Sequence, residues 1–192
     1  MKRIVLIVFV MVSVTEINAA LIDRGGGLFY DTELDITWAP SLQTTGKRQY
    51  EAHTWAQNLT YYDSVRDVTY SDWRLPSPDG VYGGIPEAQG EMGHLYFITL
   101  GNPLGGPVSN VGPFSNLKVT DPTWDTYWAI KTITGGYAHA FNMATGMQWA
   151  WDSGYQLNAL AVRDGDVPEP ATLLLFGLGG LGLLRKRKKC LS

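Results

Sequence analysis

Glu91 and His94 stand three residues apart, a spacing that puts two side chains on one face of a helix. A Glu-x-x-His pair supplies two metal ligands in di-iron bundles, but those sites need a second such pair and this chain has none. Helix solubility, with a packing or capping role for His94, is the more economical reading. His53, His94 and His139 fall on separate elements. Ser and Asp are plentiful, so counting alone leaves a hydrolytic triad open, yet no nucleophile elbow, HExxH, P-loop or CxxC accompanies the histidines. Asp72 and Arg74 flank Trp73. They make either a polar rim around a sugar-stacking ring or a fastener, with Arg74 on a carboxylate and Trp73 and Leu75 packed inward. The fastener is the simpler of the two. Seven tryptophans, at 38, 55, 73, 124, 128, 149 and 151, add a further option. Aromatic faces stack on the apolar faces of sugars, and period-two alternation sets Trp149 and Trp151 on one face of a strand. Most of the seven fill the core. One or two exposed on the sheet or in the 101–124 loop would form a ligand platform, for which Trp149, Trp151 and Trp73 are the candidates. No catalytic residue, metal or cofactor is assigned, and a non-catalytic protein is expected.

The elements that position these residues follow from pattern. Leu28–Tyr30 and Ile36–Trp38 read as strands of an opening hairpin, with Pro40 ending the second. Residues 49–59 read as a helix whose apolar face carries Ala52, Trp55, Ala56 and Leu59. A second short helix fits 88–100, with Met92, Leu95, Tyr96 and Thr99 on one face and Gly101-Asn102 as the stop. From residue 124 the pattern turns to strands. Tyr127–Ile130 begins one. Tyr137, His139, Phe141 and Met143 alternate along the next, Thr145-Gly146 turns the chain, and Met147, Trp149 and Trp151 alternate again. Asn158–Arg163 closes the series with Leu160 and Val162 inward. The class is α+β: two short helices and a loop-rich antiparallel sheet.

The two ends read differently. Lys2 and Arg3, the apolar run 4–14 and the small pair Ala19-Ala20 have the order of a secretory signal peptide over 1–20. At the other end, Val167-Pro168-Glu169-Pro170 precedes the uncharged apolar and glycine segment 171–184, then Arg185, Lys186, Arg187, Lys188 and Lys189. Basic residues after an apolar segment hold that end on the cytoplasmic side. The segment is short for a full span, as suits a hydrophobic helix that crosses the inner membrane transiently and is then removed. The expected division is a signal peptide over 1–20, one domain over 21–166 and a sorting tail over 167–192.

Charge and cysteine narrow the function. The chain holds 15 basic and 18 acidic residues. Setting aside Lys2, Arg3, the five tail bases, Glu16 and Glu169 leaves 8 basic and 16 acidic residues in 21–166, a net charge of −8. That argues against nucleic acid and anionic membrane as partners, and acidic polysaccharide would also be repelled unless a cation bridged the two. The only cysteine, Cys190, lies beyond the basic cluster, so the body has no disulfide and no thiol nucleophile.

The order of Pro-Glu-Pro, apolar segment and basic tail resembles the PEP-CTERM signal, also known as the ice-binding protein C-terminal domain. The resemblance implies a substrate of exosortase in a bacterium that makes exopolysaccharide, cut earlier by signal peptidase and destined for the cell surface, outer envelope or biofilm matrix. No regular Thr-x-Thr ladder supports ice binding itself. Over about 21–166 the body resembles the Lcl C-terminal-like domain. The resemblance is carried by Ile22-Asp23-Arg24-Gly25-Gly26-Gly27-Leu28, Trp55-Ala56, Asp72-Trp73-Arg74-Leu75-Pro76, Glu91-Met92-Gly93-His94-Leu95, Tyr127-Trp128 and Ala161-Val162-Arg163. That family is similar in fold to C-type lectins and to the formylglycine-generating group, so the resemblance implies a C-type-lectin-like fold. Lectin calcium motifs are missing, since Pro86-Glu87 has the wrong order and Trp151-Asp152 lacks the intervening Asn. Without a body cysteine the formylglycine chemistry is excluded. Three readings follow in order of preference: an envelope or matrix protein, a carbohydrate-binding module or adhesin with a tryptophan platform, and last an enzyme of unrecognised type.

Overall fold

The computed structural model describes residues 21–78 and 90–167. The signal peptide, the tail from Pro168 onward with its basic cluster Arg185–Lys189, and the start of the second predicted helix lie outside the described residues. Among the described residues, nine strands and two short helical stretches, the second part α and part π, make a mostly β, α+β arrangement. The strands are β1 (Leu21–Asp23), β2 (Phe29–Asp31), β3 (Ile36–Lys47), β4 (Tyr61–Asp63), β5 (Val68–Tyr70), β6 (Thr126–Ile133), β7 (Tyr137–Asn142), β8 (Met147–Asp152) and β9 (Leu157–Asp164). Seven form one sheet in the order β1-β2-β3-β9-β6-β7-β8, and β4–β5 is a separate hairpin. The last strand thus returns to pair with β3 in the centre of the sheet.

The opening hairpin forms as predicted, with Phe29 opposite Trp38. Pro40 does not end its second strand. β3 runs on to Lys47, because the ladder to β9 is interrupted between Trp38 and Gln43. A proline has no N–H to give, and an irregularity of register is where a strand tolerates one.

The centre of the sheet is buried on both faces. β9 sends Leu160 and Val162 to one side and Ala159 and Ala161 to the other, and all four are buried. On the first side Trp38, Tyr127, Phe141, Leu160 and Val162 pack with Met92, Leu95, Tyr96 and Phe114. On the second, Ala138, Ala140 and Ala159 meet Ala52 and Ala56 of α1 (Gln49–Gln57), with Leu75 and Trp128. Small residues on both elements let helix and sheet approach closely and leave room for the Trp128 ring, whose Nε1 donates to Lys47 O at 2.7 Å.

The second helix differs from its sequence pattern. Glu91–Gly93 (α2) is α-helical, but His94–Thr99 is a π-helical segment closed by Leu100 N–H on Leu95 O at 2.9 Å. Asn102, itself buried, donates its N–H to Tyr96 O at 3.0 Å and takes the Ser109 and Asn110 N–H groups on its side-chain oxygen. The chain after the helix is bonded to this residue, and the last turn opens wide to meet it.

Gly146, in the β7–β8 turn, has φ +75°, and a Cβ there would lie 2.6 Å from Tyr96 Cε1 and 2.7 Å from Phe97 Cζ. Gly146→Ala therefore combines a left-handed backbone with overpacking against a fully buried tyrosine. A loss of about 3 kcal/mol is expected, read as a lowered urea midpoint.

Candidate functional site

The Asp72–Pro76 segment is a fastener. β6 and β9 run parallel but pair only at Tyr127 and Asn158. Where they part, Arg74 exchanges both backbone hydrogen bonds with Val162, at 2.8 and 2.9 Å, and Pro76 O accepts the Ile130 N–H at 2.9 Å. The segment thus fills the gap between two splaying strands. Arg74 donates to Glu91 through Nη1 at 2.8 Å and Nη2 at 2.6 Å, and to Asp164 through Nε at 3.0 Å and Nη2 at 2.5 Å. Trp73 is 2 % exposed and donates Nε1–H to Tyr70 O at 3.2 Å. Its assignment to a ligand platform is corrected here: the indole packs with Leu28, Ala39, Ala161 and Val167, where no ligand reaches it.

Glu91 and His94 do not converge. Glu91 is held by Arg74, and His94, nearly buried, contacts Glu33 Oε2 through Nε2 at 2.9 Å and the Thr99 hydroxyl through Nδ1 at 3.3 Å. His139, in β7, lies beside Gln148, with 3.4 Å between Nδ1 and Nε2. Burial and the nearby Lys131 lower the His139 pKa, which favours the neutral ring. Among the described residues no group of three or more His, Cys, Asp or Glu is placed to hold a metal ion.

Trp149 and Trp151 do share one face of β8, the edge strand of the seven-stranded sheet. Trp149 is 46 % exposed. Trp151 is half-buried, its ring packed partly on the Ala138–Ala140 core. Two aromatics join them. Trp124, 53 % exposed, lies 6.3 Å from Trp151 between ring centroids, and Tyr155 meets Trp151 edge-on at 5.4 Å. Trp149 and Trp151 line an open groove of about 400 Å³, with Pro122, Thr123, Thr126 and Asn142 on its other walls, and Trp124 and Tyr155 flank Trp151 beside it. Pro122 also walls a neighbouring depression of about 450 Å³ bounded by Gly106, Pro107 and Thr145. Trp124 belongs to the loop in which an exposed tryptophan was expected. The signal for Tyr155 is weaker: it follows Ser153-Gly154 in a turn, and nothing local says that it folds back on Trp151.

Two carboxylates fix the Trp124 loop. Asp125 Oδ2 takes the Thr120 and Asp121 N–H groups, each at 2.6 Å. Asp121 Oδ1 takes those of Thr123 at 2.8 Å and Trp124 at 3.0 Å. Asn158, at the start of β9, donates Nδ2–H to Trp124 O at 3.0 Å. The two N–H donors hold the Asp121 carboxyl below its ordinary value, which is about 3.9. A depressed carboxyl pKa gives support that is present above the unfolded value and lost as pH falls through the folded one. The Trp124 turn is therefore expected to loosen below about pH 4. Asp121→Ala should reproduce that state at neutral pH, seen as faster hydrogen exchange at the Thr123 and Trp124 amides.

Comparison with known proteins bears on the end of the chain. Residues 166–188 match the PEP-CTERM protein-sorting motif. The chain thus carries the tag of an exported, exosortase-processed protein with a cell-surface or extracellular destination. No curated protein and no solved structure matches the chain. Of the predicted sorting residues, Val167 is described and buried; Pro168, Glu169 and Pro170 lie outside the described residues. Among the described residues no helix is long and apolar enough to cross a membrane, and the predicted hydrophobic helix over 171–184 lies outside them.

Proposed function

We infer that the protein is a non-catalytic component of the outer envelope or exopolysaccharide matrix whose body binds a neutral glycan. The observation that carries this reading is a cluster of partly exposed aromatic rings: Trp149 and Trp151 line the groove, and Trp124 and Tyr155 contact Trp151 beside it. Sugar rings stack by their C–H faces on such surfaces, and their hydroxyls suit threonine side chains and the outward backbone groups of an edge strand. The −8 charge of residues 21–166 favours a neutral polymer over a uronic or sulfated one. An exported, surface-directed chain would meet such polymers there, which is why the sorting motif supports the reading. Segment 171–184 holds it in the inner membrane until exosortase removes the tail. A C-type-lectin-like body of the Lcl C-terminal-like kind is part of the reading, supported by the Asp72–Pro76 fastener and by the return of the last strand to β3 in the centre of the sheet.

The test is co-sedimentation of the tail-free protein with the host's own exopolysaccharide, with and without calcium. Saturable binding in both conditions is expected. No binding in either would leave the body as an envelope scaffold with protein partners.

A further inference from the structure

The sorting motif begins inside the fold. Its first two residues, Asp166 and Val167, are held by the body. Arg24 donates from Nε to Asp166 Oδ1 at 2.9 Å and from Nη2 to Asp166 Oδ2. Arg163 Nη1 donates to Asp166 O at 3.2 Å. The rest of the Arg163 guanidinium forks onto Asp72 at 3.0 and 2.8 Å and lies 4.5 Å over the Tyr70 ring. Gly165 is bonded at both ends, giving its N–H to Asp35 O and taking the Thr37 hydroxyl on its carbonyl, each at 2.7 Å. The Val167 side chain is fully buried against Leu28, Ala39, Trp73 and Ala161. The backbone is therefore fixed through Val167, and Pro168 follows with no linker between fold and motif.

An enzyme that cuts a peptide binds several residues of it in extended form. Pro168 to Pro170 reach at most about 10 Å beyond Val167. A cleft that takes Pro-Glu-Pro together with the residues before it must draw on Asp166 and Val167, which the body retains. We propose that this clamp is an autoinhibitory contact for tail processing: exosortase gains the extended motif only when Asp166 and Val167 peel away from the body. The rate of tail removal then follows the open population of the clamp, as for other cleavages limited by local opening. The inference rests on the exosortase reading of the motif.

The experiment follows the full chain in its exosortase-bearing host by pulse–chase, with tail loss read as a mass shift. Arg24→Gln breaks the clamp from the body side and leaves every residue of the matched motif unchanged. About tenfold faster tail loss is expected, the effect of losing a charge-assisted pair. A six-residue insertion, Gly-Ser-Gly-Ser-Asp-Val, between Val167 and Pro168 keeps every body contact and sets an unclamped Asp-Val before Pro168, and should speed processing at least as much. Should Arg24→Gln prove unfolded, the insertion decides. Wild-type or slower rates in the insertion variant overturn the clamp. Equal tail loss in hosts with and without exosortase would instead overturn the processing reading itself.

Discussion

Arg74→Ala is expected to destabilise the body by about 3 kcal/mol or more, enough to lower Tm by roughly 10 °C. Three separate pieces of chain depend on this side chain: the segment between β6 and β9, the first residue of α2 through Glu91, and the end of β9 through Asp164. Burial alone would pull the guanidinium pKa down, but the bonds from Glu91 and Asp164 hold it above the ordinary arginine range, so the charge is permanent. Removing it leaves Glu91, 13 % exposed at the side chain, with the Ser77 N–H at 2.7 Å. An uncompensated carboxylate in that position costs more than the pair contributes when intact. Lysine at 74 keeps the charge but cannot fork onto two carboxylates, and should recover less than half of the loss. Urea unfolding of Arg74→Ala, Glu91→Gln and the double variant gives the coupling directly. A single-variant loss within about 0.5 kcal/mol, the range of ordinary surface substitutions, would mean the fork is incidental.

The same fork shows how far the sequence could be read. Asp72-Trp73-Arg74-Leu75-Pro76 announces a fixed loop, because an Arg beside two large apolar residues suits a buried ion pair. Its partners, Glu91 and Asp164, lie 17 and 90 residues away, and no local pattern names them. Helix α1 and the β7–β8 hairpin were legible because their apolar periodicity and the Thr145-Gly146 turn are local signals. The π-helical segment was not: Leu95 and Tyr96 satisfy an α-helical face equally well, and the wider turn depends on Asn102 and its loop partners. Pro40 misled for a related reason, since a proline ends a regular ladder but not one already interrupted. In the aromatic groove, alternation placed Trp149 and Trp151 on one face correctly. It could not distinguish them from Trp73, whose fate depends on Ala39 and Ala161 across the sheet.

The groove gives the largest expected effect on binding. Trp124→Ala and Trp149→Ala should each weaken glycan binding by about 2 kcal/mol, some thirtyfold in Kd, and together by several hundredfold. These two are the informative positions because their rings are half-exposed and lie outside the packed clusters. Truncating them should leave stability within about 0.5 kcal/mol, so lost binding is lost contact and not lost fold. Trp151→Ala is a poorer test, since that ring also covers the Ala138–Ala140 core and its removal opens a cavity. Isothermal titration with a neutral oligosaccharide from the host polymer reads all three. Unchanged affinity in the double variant would move any glycan site off this face. Trp124 is bonded to Asn158 at the start of β9, whereas the body grips the sorting motif past the other end of that strand, through Asp35 on Gly165 and Arg24 on Asp166. The aromatic cluster and the clamp on the sorting motif thus use different residues of the body, so binding and tail removal can be tested independently.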